Sequence, residues 1–385
     1  MHNGVEGQRM VSEEDDVHLE RQLKDLRKFS LKTVKNAVGD TYDCVDIRRQ
    51  PSLNHPSLQN HEIQMRPTSS PRRMIKTTSR KAQKVHALTV DCPIGTVPVR
   101  RIGREGLRRA KSFTESYLQN IHEMAQGSAG SQSGEHYAIL RSKSNLNRYF
   151  IGLQGYPTVH SLENKVGPKQ SSSAQIWMQR ATDSIQTGWI VSPELNGDTR
   201  THLFVFWKTK NGGCFNLLCS AGFVQISNTN PVDLVLNKTA EIGDKIQWEI
   251  EIHVYLDLKT QCWWLEGSNG VKVGYWPSGL LPELGSSVSL GADYISWGGS
   301  VKGLPNEPSP PMGNGDMDNY DYKRAASFRQ LQIVDSSTNE WLNPREDELE
   351  KYVDTLGCYD LKYHGYQGQD LGHTFLYGGV GGNCT

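Results

Sequence analysis

Two short stretches concentrate side chains that can grip an extended ligand. The first contains Gln175, Trp177, Gln186, Gly188 and Trp189, and the second contains Tyr275, Trp276, Tyr294, Trp297 and Ser300. Indole rings give broad apolar walls, and a few amides and hydroxyls fix orientation, so this mix suits a binding groove. Each tryptophan taken singly suits a core equally well. Metal and nucleotide chemistry lack their signatures: there is no His-Glu-x-x-His, no Gly-x-Ser-x-Gly elbow, no phosphate loop and no Cys-x-x-Cys. His253 and His364 are isolated. Residues 316–321 share the acidity of a calcium loop but lack its central glycine and terminal glutamate, and read as a solvated loop. No metal and no cofactor is expected.

Elements of one kind position these residues. The chain has 385 residues with 37 Gly, 15 Tyr and 9 Trp, a composition of strands and turns rather than helical bundles. Stretches 136–140, 201–207 and 328–334 read as strands. Residues 244–258 alternate, with Ile246, Trp248, Ile250, Ile252 and Val254 on one side and Glu249, Glu251 and His253 on a side expected to meet solvent. Trp263 to Val273 reads as a hairpin about an Asn-Gly turn. Almost no helix is expected after residue 140. The fold class is all-β: an antiparallel β-sandwich of two packed sheets, preceded by a mostly irregular N-terminal segment with a short helix.

The N-terminal third differs. Residues 1–16 are polar and read as disordered. Leu19, Leu23, Leu26 and Phe29 recur at helical spacing within 17–38. Residues 50–71 are rich in Pro and His, and a basic stretch follows. Residues 124–135 are Gly/Ser-rich and form a linker open to proteolysis. The domains are therefore 17–123, the linker 124–135, and a body at 136–385. Residues 1–110 hold 21 Lys+Arg against 13 Asp+Glu, while the whole chain balances 42 against 42, so a basic arm faces an acidic body. The basic residues are scattered without aromatic interleaving, so nucleic acid is not expected as a partner. No run of 18 apolar residues occurs, and no membrane partner is expected. Seven cysteines without zinc spacing favour disulfides and an oxidising compartment, and the Asn237 sequon is in keeping with it. The N-terminus shows no signal peptide, which implies either an incomplete start or an unusual route of export.

Several of these stretches resemble the plant neprosin family of glutamic peptidases. The likeness is carried by Cys44 to Ile47, His55 with Pro56, Cys92 with Pro93, and Gly95 to Arg101. In the body it is carried by Gln175 with Trp177, Gly188 with Trp189, Cys214 to Cys219, Gly274 to Pro277, Trp297 to Gly299, Met312 with Gly313, and Tyr377 to Gly379. It covers roughly residues 20–385. The resemblance implies an activation peptide acting in cis and a catalytic sandwich with a cleft across one sheet. It further implies Pro-containing peptides or proteins as partners, cleavage after proline in acid, and secretion to the cell wall or vacuole. Gln175, Trp177, Trp189, Tyr275 and Trp297 are the expected substrate-binding residues. The expected disulfides join Cys214 to Cys219, Cys358 to Cys384, and Cys44 to Cys92, leaving Cys262 buried beside Trp263.

In that family one glutamate precedes Gly-Trp by two residues and another follows Trp-Gly-Gly. Here those positions are Gln186 and Ser300. An amide takes no proton at useful pH, and a hydroxyl needs an external base. Loss of one positioned acid or base costs ~10²–10⁴ in rate. Asp183 and Asp293 are nearby in sequence, but a three-residue offset turns Asp183 to the other side of the sheet from Gln186. The reading is an impaired zymogen with a retained peptide groove. The alternatives are an acid prolyl endopeptidase using other residues, and an aromatic-lined glycan-binding sandwich.

Overall fold

The computed structural model describes residues 13–55, 58, 60–73, 83–84, 89–120, 134–219, 222–285, 290–317 and 321–384. Two antiparallel sheets form the body. The first joins β5 (Glu135–Ser142), β7 (Ser171–Arg180), β8 (Asp183–Val191), β9 (His202–Thr209), β10 (Gly212–Phe215), β16 (Tyr294–Lys302) and β19 (Leu349–Val353) in the order β10-β9-β8-β7-β16-β5-β19. The second contains β6 (Phe150–Pro157), β11 (Val224–Gln225), β13 (Ile252–Leu256), β14 (Trp263–Glu266), β15 (Lys272–Trp276), β17 (Ala326–Asp335), β20 (Asp360–Tyr366) and β21 (His373–Gly378) in the order β11-β15-β14-β13-β6-β17-β21-β20, with β18 (Trp341–Leu342) beside β17. Their facing sides share one apolar core that includes Ile176, Trp189 and Trp297 from the first sheet and Leu153, Trp276 and Phe328 from the second. Successive side chains on a strand alternate sides, so the neighbours of these core residues form the outer face of the first sheet.

The pro-segment clasps both outer faces. Helix α1 (Glu13–Arg27) buries Leu19 and Leu23 against Leu107 of α2 (Arg104–Asn120). The α1 helix starts earlier than its sequence suggests, and Asp16 is held by Arg104 and by Arg108 at 3.0 Å. It also stops at Arg27 rather than near residue 38. Ser30–Lys35 instead forms β1, paired with β2 (Thr41–Asp46), which pairs in turn with β4 (Thr96–Arg100). Asp43 fixes that small sheet by accepting from Thr33 Oγ1 at 2.9 Å and from Arg101 Nε at 2.9 Å. Disulfides join Cys44 to Cys92, Cys214 to Cys219 and Cys358 to Cys384, while Cys262 is a buried thiol.

Residues 61–73 form a strap over the second sheet. Thr68 N donates to Asp257 Oδ2 at 2.6 Å, Ser69 Oγ to Oδ1 at 2.5 Å, and Arg73 to Glu266 at 2.8 Å. A short strand β3 (Gln83–Lys84) pairs in parallel with β12 (Trp248–Glu249). The alternation at 244–258 is therefore not one half-exposed strand. It breaks between β12 and β13, where Ile250 N turns to Pro157 O at 3.3 Å. Ile246 is 40% exposed while Glu249 is 2% exposed, the reverse of the sequence expectation. The reason is a buried partner, since the Arg329 guanidinium forks onto the Glu249 carboxylate. Glu251 is buried as well and accepts from Asn269 N at 3.2 Å.

Candidate active-site groove

Register places Gln186 and Ser300 on one face. Gln186 on β8 lies opposite Trp177 on β7, and Trp177 lies opposite Ser296 on β16. Ser300 is four residues further along β16, opposite Ser173 on β7 and Tyr137 on β5. On a flat sheet that separates the two backbones by about 13 Å along the strands and about 10 Å across them. Between them lie Gly188, Gln175 and Gly298, mutually paired across the three strands. At Gly188 a Cβ would meet the Ala174 carbonyl oxygen at 1.9 Å, so the floor between Gln186 and Ser300 is glycine backbone on either side of the Gln175 side chain.

Helix α2 covers this face. Leu107, Ala110, Phe113 and Tyr117 recur at spacings of three and four and form its buried stripe. Phe113 meets Phe215 at 5.3 Å between ring centroids, and Tyr117 meets Phe206 at 5.0 Å. The Tyr117 hydroxyl donates to Gln186 Oε1 at 2.5 Å. Lys302, at the end of β16, donates to Ser116 Oγ at 2.5 Å. Beneath the helix, Gln186 Nε2, Gln175 Oε1 and Trp177 Nε1 are buried without a hydrogen-bond partner among the described residues. Buried amides left open are unusual and are suited to pairing with a peptide backbone, which offers both donors and acceptors.

The five expected substrate-binding residues do not stay together. Gln175 and Trp177 lie on the α2-covered face. Trp189 and Trp297 point the other way, into the sandwich core, where their Nε1 groups donate to Thr158 O at 2.9 Å and Gln154 O at 2.8 Å. Each adjoins a groove-floor glycine, Gly188 or Gly298, and strand alternation turns it inward. Tyr275 belongs to the second sheet, and its hydroxyl accepts from Gln64 N at 3.0 Å in the strap. Trp276 is core, edge-on to Phe223 at 4.8 Å.

Asp183 sits on the core-facing side of β8, accepts from Glu283 N at 2.7 Å, and is pushed up to about 6 by burial. It does not share the face of Gln186. Asp293 precedes β16 and is exposed. Glu135, by sequence the end of the linker, instead opens β5; residues 124–133 of that linker lie outside the described residues. Asn237 is exposed. Among the described residues no group of three or more His, Cys, Asp or Glu is placed to hold a metal, and no helix is long and apolar enough to cross a membrane.

The family model described as Neprosin matches residues 168–380, and the one described as Neprosin activation peptide matches residues 33–141. The chain belongs to the Neprosin family. Among solved structures it is similar to Scytalido-glutamic peptidase bound to a peptide-based transition state analog, with 14% identity over 64% of this chain and 97% of that one, and a TM-score of 0.34. It is also similar to SCP-B, a member of the Eqolisin family of peptidases in complex with the tripeptide Ala-Ile-His, with 12% identity over 63% of this chain and 96% of that one, and a TM-score of 0.32.

Proposed function

We propose that this chain is a zymogen-like member of its family whose α2-covered face binds extended, Pro-containing peptides once α2 is lifted. In this reading its hydrolysis is impaired, because Gln186 and Ser300 stand at the positions of the family's two glutamates. The observation that carries the reading is the Tyr117 hydroxyl bonded to Gln186 Oε1 beneath the apolar stripe of α2. A helix side chain there stands in for a ligand, and the unpartnered amide groups beside it are suited to a peptide backbone. Gln186 Nε2 can donate to a scissile carbonyl but cannot activate water. Exposed Asn237 and three disulfides support passage through an oxidising compartment, in keeping with secretion to the cell wall or vacuole. A glycan platform has less support, because Trp177 alone of the four tryptophans considered lies on this face.

The test compares the full chain with the full chain carrying Phe113→Ser and Tyr117→Ser, which removes the apolar anchors of α2. A fluorescent Pro-containing peptide is expected to bind the variant and not the parent. Equal binding to both, or binding to neither, would contradict the reading.

A further inference from the structure

We infer that Glu135 is a catalytic carboxylate of this groove, working with Gln186 in place of the glutamate missing at Ser300. The inference rests on the reading above, that the face takes a peptide once α2 has lifted. Three observations converge on it. The first is register: Tyr137 lies opposite Ser300 and Glu135 opposite Lys302, so Glu135 is the diagonal neighbour of Ser300 on the same face. Diagonal neighbours across an antiparallel pair are about 7–8 Å apart, within the reach of a glutamate side chain. The second is burial with orientation. Glu135 is 2% exposed, and Tyr137 donates its hydroxyl to Glu135 Oε2 at 2.7 Å. Glutamates are seldom buried this fully, and this one is aimed rather than solvated.

The third observation is Tyr117. Its hydroxyl touches Gln186 Oε1 at 2.5 Å. Burial opposes its ionisation, and the charge of Glu135 adds to that opposition. Glu135 is therefore within electrostatic reach of the hydroxyl that contacts Gln186. When α2 leaves, the Gln186 amide is uncovered on the face that also carries Glu135.

The chemistry balances with one carboxylate. Ionised Glu135 removes a proton from water as the water oxygen bonds to the scissile carbonyl carbon. The carbonyl π pair moves onto its oxygen, which Gln186 Nε2–H stabilises. The tetrahedral species collapses, the C–N bond breaks, and Glu135 returns the proton to the leaving nitrogen. A peptide and a water become a carboxylic acid and an amine, and Glu135 is again a carboxylate.

A structural role is the competing account, with Glu135 merely bracing Tyr137. Glu135→Gln keeps an acceptor for that hydroxyl, so it separates the two. In the full chain carrying Phe113→Ser and Tyr117→Ser, peptide binding and turnover of a Pro-containing peptide are measured at acidic pH. Glu135→Gln is expected to lower kcat by ~10²-fold or more with little change in KM, and Glu135→Asp to recover part of the loss. Turnover unchanged in Glu135→Gln, or binding without any turnover in the parent, would overturn the inference while leaving the groove reading intact. Absence of peptide binding would instead overturn the groove reading and the inference with it.

Discussion

Gln186 and Ser300 share a face of the first sheet but not a level on it, standing on either side of a floor that contains Gly188 and Gly298. Two long carboxylates at these positions would reach toward each other across Gly188, Gln175 and Gly298. With α2 unseated, Gln186→Glu combined with Ser300→Glu is expected to raise turnover of a Pro-containing peptide at acidic pH. The gain should exceed either single change by ~10²-fold or more. Equal rates for the double and the better single change would show that the two positions do not cooperate.

Phe113 fixes α2 to the sheet. It is fully buried, meets Phe215 at 5.3 Å, and lies under the Lys302 ammonium at 5.2 Å. Phe113→Ala is expected to weaken docking of α2 by about 3–5 kcal/mol. Hydrogen exchange of the α2 amides checks this, with faster exchange expected in α2 while the β17 amides keep their protection.

The strap responds to acid later than an ordinary carboxylate contact would. Burial alone would raise Asp257, but hydrogen bonds from Ser69 and Thr68 outweigh it and hold the group down at about 2. A depressed carboxylate stabilises docking above its unfolded pKa of about 3.9 and loses that contribution as pH falls through the folded value. Thr68 N–H, bonded to Asp257 Oδ2 at 2.6 Å, is therefore expected to stay protected from pH 7 to about 4 and to lose protection toward about 2. Loss of protection at pH 5 would contradict this. Asp257→Asn should loosen the strap at neutral pH, as acid does in the parent.

The Glu249–Arg329 pair is buried on both sides. Arg329→Met leaves Glu249 without its guanidinium and is expected to destabilise the body by about 3–5 kcal/mol. Thermal unfolding checks this, and a fall in Tm of under a degree would show that the pair contributes little.

Much of the sandwich was legible in the sequence because strand alternation, Asn-Gly turns and glycine-rich motifs are local signals. Residue type and motif alone group Gln175, Trp177, Trp189 and Trp297 in one groove, whereas strand parity turns Trp189 and Trp297 inward. Each of those tryptophans follows or precedes a glycine of the floor, and parity alone assigns its side. The α2 helix was missed because its basic residues hid the stripe of Leu107, Ala110, Phe113 and Tyr117, although the spacing was present. Glu249 looks solvated in the sequence because its buried partner, Arg329, is 80 residues away. No local pattern carries that information. Glu135 looks like linker in the sequence because a Gly/Ser run precedes it, and only pairing of β5 with β16 gives it a place.

The location of the groove can be tested with a Pro-containing peptide bearing a photoreactive phenylalanine analogue, bound to the full chain with Phe113→Ser and Tyr117→Ser. Crosslinks mapped by mass spectrometry are expected within 173–177, 184–190 and 296–302, the strands that α2 covers in the parent chain. Crosslinks confined to the second sheet, or equal labelling of the parent chain with α2 in place, would contradict the account.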